Sequence, residues 1–313
     1  MPNGSFREYK LLNEMNIPHE MLAYATPARM PIGTPGKTGY LRLGFELDAD
    51  GRSVMRHWER HAPLIVQQEL YFDREWPELP CVYILSSGGP NVEGDRYRQH
   101  ISVAQNAYAH IATGAATKLA SMQNNYSSLT QHITLDAGAY LEYLPEPVIP
   151  CRNTRYISDT EIVIDSTATL FYAESYLCGR KYHGEDFDYD ILSLRTRASR
   201  HDGEELYCEK MIIEPKQRGV REIGVMADYD IFATALILTP PEIANRIYAL
   251  INPYIDRMTH TAFGITRLPY DCGLICRVMG RESGDVKRIL RQLCSTVREQ
   301  LKHRPMPDEF PWR

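Results

Sequence analysis

Three stretches of this chain, 101–111, 133–143 and 162–172, share one pattern and begin 32 and then 29 residues apart. Each reads apolar-x-apolar, then a small or polar turn, then Ala-x-apolar-x-apolar. A near-constant period of this length marks stacked units, none of which can bury its own apolar face alone. The phase adds a constraint. In the second copy Ile133, Leu135, Ala139, Leu141 and Tyr143 all fall at odd positions. A two-residue hairpin at 137–138 would place Ile133 and Leu135 on one face and Leu141 and Tyr143 on the other. Keeping all five on one face requires an odd-length loop or an arc that carries the chain between layers. The arc gives a solenoid and the odd loop an ordinary meander. The period favours the first. The expected fold class is mainly β, a β-helical, solenoid-like stack of short strands with two α-helices near the C-terminus. A plain antiparallel sandwich is the alternative.

Composition excludes several function classes. The chain has 313 residues, 43% hydrophobic and 24% charged, and a net charge of −5, so it carries no basic footprint for nucleic acid or an anionic membrane. A layered β architecture accommodates this length as one domain, because each layer contacts only its neighbours. Residues 1–20 are polar and hold no apolar segment of the signal-peptide kind. The seven cysteines are odd in number and scattered. Together these features predict a cytoplasmic protein with reduced thiols. The longest apolar run, 231–238, is too short to span a bilayer.

Residues 1–36, rich in Pro, Met and Gly, read as an irregular N-terminal arm, 37–303 as a single β-rich domain and 304–313 as a C-terminal tail. Leu41, Leu43, Phe45 and Leu47 alternate and meet a hairpin signal at 48–51. Further strands are expected at 64–71, 81–85, 191–197, 206–213, 261–268 and 273–279, with a turn at 86–90. Thr239-Pro-Pro-Glu242 reads as a capping box that opens a helix running to about Tyr254. Val286, Ile289, Leu290, Leu293, Val297 and Leu301 follow helical spacing, with Asp285 at the positive end and Lys302 and His303 at the negative end.

Catalytic signatures are missing. The sequence has no phosphate-cradling G-x-x-x-x-G-K-[S/T], no strand-linked G-x-G-x-x-G and no G-x-S-x-G elbow. No residue stands out as a catalytic nucleophile. His57 and His61 have the i, i+4 spacing that clasps a metal on a helix, but the stretch patterns as a strand, where they would sit about 13 Å apart. Cys272 and Cys276 read as buried thiols of a strand. Glu142, Glu146, Asp165 and Glu174 lie on otherwise apolar segments. A carboxylate inside a β-stack must be paired, hydrated or bound to a cation. Parity is read as placing Glu142 and Glu174 opposite the apolar set, facing either solvent or a polar lumen.

From about residue 38 to 303 the chain resembles the UreD-type urease accessory proteins, also called UreH. The resemblance runs through His61-Ala-Pro-Leu64, Gly88-Gly89, Gly94-Asp95-Arg96, the 113–118 segment with Thr117 and Lys118, and the 141–149 segment with Glu142, Pro145 and Glu146. It continues through Glu174, Gly179-Arg180, Gly184-Glu185 and 273–278 to the terminal helix. Two departures stand out. Gly114 replaces a residue that is Gln in many members, and Glu146-Pro147 replaces Gln-Glu, shifting a carboxylate by one position. The resemblance implies a non-enzymatic, β-helical scaffold that binds a UreF-type protein and, through it, a UreG-type GTPase. The assembly docks on apo-urease and helps insert nickel. It further implies no tightly bound cofactor, with nickel in transit and Glu142, Glu146 and Glu174 as its candidate ligands. Transit calls for weak, exchangeable ligands, and carboxylates with water suit that better than a closed Cys/His cage. The residues alone leave a second class open, a β-helical carbohydrate-active enzyme or binding module, which needs a carboxylate cluster and an aromatic groove. The 20 tyrosines permit the groove; the missing export signal and free thiols argue against an extracellular hydrolase.

Overall fold

The computed structural model describes residues 17–26 and 36–307. In chain order the strands are β1 (Thr38–Leu47), β2 (Ser53–His61), β3 (Leu64–Ile65), β4 (Cys81–Ser86), β5 (Arg96–Val103) and β6 (Tyr108–Thr113). There follow β7 (Thr117–Leu119), β8 (Ser127–Leu135), β9 (Tyr140–Leu144), β10 (Val148–Pro150), β11 (Arg155–Ile164) and β12 (Thr169–Leu177). The last are β13 (Ile191–Ser199), β14 (Glu205–Ile213), β15 (Ile231–Leu238), β16 (Tyr254–Asp256), β17 (Thr261–Arg267) and β18 (Gly273–Gly280). Two α-helices, α1 (Pro241–Leu250) and α2 (Ser283–Lys302), lie in the C-terminal third.

The repeat is a solenoid. Each copy supplies one strand to each of two sheets, and a four-residue arc joins the pair. The first sheet runs β14-β13-β11-β8-β5-β1-β2; the main path of the second runs β16-β17-β18-β15-β12-β9-β6-β4-β3. Equivalent residues stack in parallel register: Ile101 beside Ile133 beside Ile162 in the first sheet, and Ala109 beside Leu141 beside Leu170 in the second. The arcs stack as well. Asp136 N–H donates to Val103 C=O at 3.0 Å and Asp165 N–H to Leu135 C=O at 2.9 Å, so the turn backbones are satisfied by neighbouring coils. Gly138 takes the left-handed φ of +67°, which glycine adopts most freely, at the arc position that Asn106 fills with φ 59° one coil earlier.

All five odd-numbered apolar residues of the second copy are buried in one cluster between the sheets, as the arc demands. The outer face of the second sheet is equally apolar. Phe171, Ala173, Ala235, Ile237, Leu274 and Val278 pack there against Ile247 of α1 and Val286, Leu290, Leu293 and Val297 of α2. The molecule therefore has three layers, two sheets and a helical cover.

Several expectations require correction. Thr239 does not cap α1: the helix is preceded by Pro240 with no side-chain cap, because the Thr239 hydroxyl is engaged 2.7 Å from that of Thr169. The helix ends at Leu250, and 254–256 is a strand. Of 64–71, only Leu64–Ile65 and a bridge at Leu70 are β. Cys272 precedes β18, and the two thiols fall in different clusters, Cys272 between the sheets and Cys276 under the helices. Within the stretch read as an irregular arm, His19–Tyr24 forms a 3-10 helix whose Met21 is buried with Tyr126, Ile157 and Ile191; residues 1–16 and 27–35 lie outside the described residues. Of the tail, Met306 is buried with the helical cluster, and 308–313 lie outside the described residues.

Candidate functional site

Between the sheets the interior changes character along each coil. Near the arcs it is aliphatic. Towards the opposite, returning side it becomes a seam of amides, phenols and hydroxyls. Gln131 Nε2 donates to Gln99 Oε1 at 3.1 Å and to Tyr143 Oη at 2.7 Å. Thr160 Oγ1 and Tyr172 Oη donate to Gln131 Oε1 at 3.1 and 3.0 Å. These residues sit at equivalent inner positions of successive coils, so the repeat that stacks Ile101 on Ile133 also stacks Gln99 on Gln131. Such a ladder satisfies its own polar atoms and is stable although buried.

Glu174 ends this ladder. It shares the parity of Leu170 and Tyr172, so it points between the sheets and not away from the apolar set, which corrects the parity reading. Tyr176 Oη donates to Glu174 Oε1 at 3.2 Å, and Ser158 Oγ lies at 3.5 Å. Among the described residues Glu174 has no ion pair. Burial raises its pKa above the usual carboxylate value; hydrogen bonds from Tyr172, Tyr176 and Ser158 only partly oppose this, and Glu209 adds to it. Thr234 and Arg277 follow Glu174 in register across β15 and β18. Arg277 pairs with Glu209 of β14, closing the seam at the surface. At the other end a cavity of about 390 Å³ opens, lined by Gly89, Tyr97, Gln99, Gly114, Thr117 and Lys118 among others.

The remaining residues singled out in the sequence occupy the corners of the returning side. Asp95 is fully buried, with Oδ1 accepting from Lys37 N–H at 2.7 Å and Oδ2 from Val92 N–H at 3.0 Å and Tyr97 Oη at 2.9 Å. Arg96 lies 3.8 Å over the Tyr126 ring and donates to Asn125 Oδ1 at 2.9 Å. Gly94, at φ +84°, and Gly89, at φ +71°, take left-handed turns that favour glycine, and Gly88 packs on Pro63. This corner is a structural knot. Arg180 and Glu185 pair across a loop whose Gly179 has φ +147° and whose Gly184 has φ +74°. Pro145 and Glu146 border β10, and Glu146 pairs with Lys287 of α2.

Glu142 occupies a different environment. It points to the outer face of the second sheet, as parity predicts, but α2 seals that face. Arg298 clamps it with two bonds of 2.7 Å, His110 Nδ1 lies at 2.8 Å and Tyr140 Oη donates at 2.5 Å. Arg298 also pairs with Asp73, and both carboxylates and the guanidinium are fully buried. Burial alone would raise the Glu142 pKa; Arg298, then His110, reverse this and hold the carboxyl far below the usual range. Glu142 and Glu174 thus lie on opposite faces of one sheet and form no facing pair of the kind glycoside hydrolysis needs.

His57 and His61 lie on a strand, as their pattern predicts, with His57 Nε2 2.8 Å from Glu46 and His61 Nδ1 2.9 Å from Thr38 C=O. Asp165 caps its own arc through Thr167. Cys178, Asp186 and Asp230 bring ligand-type atoms within 4.8 Å of one another, but Arg221 pairs with both carboxylates and Lys181 with Asp230, so the charge there is already met. No helix among the described residues is long and apolar enough to cross a membrane.

The arrangement defines a two-sheet β-solenoid with a helical cover and a hydrogen-bonded polar seam in its interior. Comparison with known proteins makes this specific: residues 37–313 match the UreD urease accessory protein family, and the chain belongs to it. It is 40% identical to the urease accessory protein UreD of Photorhabdus laumondii over 96% of this chain and 94% of the relative. It is 41% identical to UreD 2 of Brucella ovis over 91% of this chain and 95% of that protein. A third relative, UreD of Yersinia pseudotuberculosis, is 41% identical over 96% of this chain and 94% of its own length.

Proposed function

We propose that this chain is a cytoplasmic, non-catalytic scaffold of urease maturation. It binds a UreF-type protein, recruits a UreG-type GTPase through that partner, docks on apo-urease and aids delivery of nickel. Nickel is cargo and not a resident cofactor. The observation that carries the reading is Glu174, a carboxylate inside the solenoid with no ion-pair partner among the described residues, on a polar seam that shares Gln99 with the lining of the 390 Å³ cavity. A divalent ion would supply the missing positive charge, and one carboxylate with phenolic and water oxygens would hold it weakly enough to release it. Glu146 serves only when Lys287 lets go. Glu142 stands outside this route, because nickel would have to displace Arg298 from a dry site. Co-expression of the tagged chain with the urease subunits and accessory proteins of its own cell tests the scaffold. Recovery of urease together with a UreF-type protein is expected. Recovery of the chain alone, folded, overturns the reading.

A further inference from the structure

The residues that immediately precede Ile101, Ile133 and Ile162 are His100, His132 and Glu161, so the solenoid period puts them in one row. His100 pairs in register with His132 across β5 and β8, and His132 with Glu161 across β8 and β11. All three point out of the first sheet, away from the Ile ladder. The two imidazole centroids are 5.7 Å apart at 46°, and His132 Nδ1 is 3.9 Å from Glu161 Oε2. The geometry points to a divalent transition-metal site of two imidazoles and one carboxylate on this face.

Two features support it. First, with metal–nitrogen bonds of 2.0–2.1 Å, two imidazoles on one tetrahedral ion have centroids about 5 Å apart, close to the 5.7 Å observed, so ligation calls for side-chain rotations that turn the ring nitrogens and the Glu161 carboxylate towards one point. Second, the side chains of His132 and Glu161 are 41% and 46% exposed, which leaves room for those rotations and for water ligands. The row is flanked by Arg42 on β1 and Arg197 on β13, and Arg195 approaches Glu161 at 4.0 Å. These cations weaken binding and favour an ion that gains from imidazole nitrogen, such as Zn²⁺, Ni²⁺ or Cu²⁺, over Mg²⁺ or Ca²⁺. The site lies on the opposite side of the first sheet from Glu174 and does not rest on the accessory role.

Equilibrium dialysis of the full-length chain against Zn²⁺, and separately Ni²⁺, tests it. The wild type should hold one equivalent more than His100→Gln/His132→Gln, and Glu161→Gln alone should weaken that equivalent by about tenfold. Loaded with Cu²⁺, the wild type should show electron-spin-echo modulation from two imidazoles that the double variant lacks. Equal stoichiometry and affinity in wild type and double variant overturn the site. If the double variant melts early, Glu161→Gln decides the matter, and unchanged affinity in that variant overturns it.

Discussion

Replacing Arg298 by Met should destabilise the protein more than any surface change, and the structure fixes the scale. Arg298 is fully buried and neutralises two fully buried carboxylates, Glu142 through two bonds of 2.7 Å and Asp73 through a third contact. Removing the cation leaves both acids in a dry layer without a counter-charge. Breaking one buried pair in this way costs about 3–5 kcal/mol. Each kcal/mol moves the melting temperature of a domain this large by roughly 2–4 °C, so a fall of about 10 °C is expected. Scanning calorimetry or near-ultraviolet circular dichroism reads it. Removing all three charges together, as Arg298→Met/Glu142→Gln/Asp73→Asn, should recover most of the loss, because an uncharged layer leaves no ion unpaired. The pH dependence follows. The folded protein holds Glu142 below its ordinary value of 4.5. Its contribution is therefore fully present above that value and fades as the pH falls towards the lower, folded one. Wild type should lose stability between pH 5 and strongly acid solution in a step that Arg298→Met lacks. A melting temperature within about 3 °C of wild type, or an identical acid step in the variant, would refute the ion-network argument.

Glu174 behaves in the opposite sense. Its folded pKa is raised by burial, so the fold prefers the protonated form, and stability is lost as the pH rises through that value. Glu174→Gln should hold or raise the melting temperature at pH 7 while lowering nickel incorporation into urease at limiting nickel. A variant that instead melts early with normal incorporation contradicts the proposed role. Leu293 is buried beneath α2, and Leu293→Asp would place an unpaired charge there at a cost of several kcal/mol, seen as insolubility or an early melt. A soluble variant with wild-type stability would show that face to be idle.

Much of this architecture was legible because the repeat is local in its chemistry. The 32- and 29-residue offsets fixed the register of the coils, and the odd-position apolar set of 133–143 required an arc. The same offsets align Gln99 with Gln131 and His100 with His132, a signal present in the sequence but fainter than the isoleucine ladder because polar residues recur without an apolar pattern. The facing of Glu174 was also available, since it shares even parity with Leu170 and Tyr172. What the sequence could not show was coverage. Glu142 lies on the face opposite Leu141 and Tyr143, as counted, yet whether that face meets water depends on Arg298, 156 residues later. Thr239 failed as a cap for a similar reason, since a hydroxyl 70 residues away, on Thr169, competes for it. Local patterning sets which face a residue takes, and long-range packing sets what that face meets.

The central claim is that this chain enables nickel delivery to urease without itself performing chemistry. Its most direct test is the nickel content, per active-site pair, of urease purified from cells that lack the chain and from the same cells supplied with it at limiting nickel. The account predicts assembled urease protein with little nickel in the first and restored nickel in the second. Fully nickel-loaded urease in the absence of the chain would contradict it.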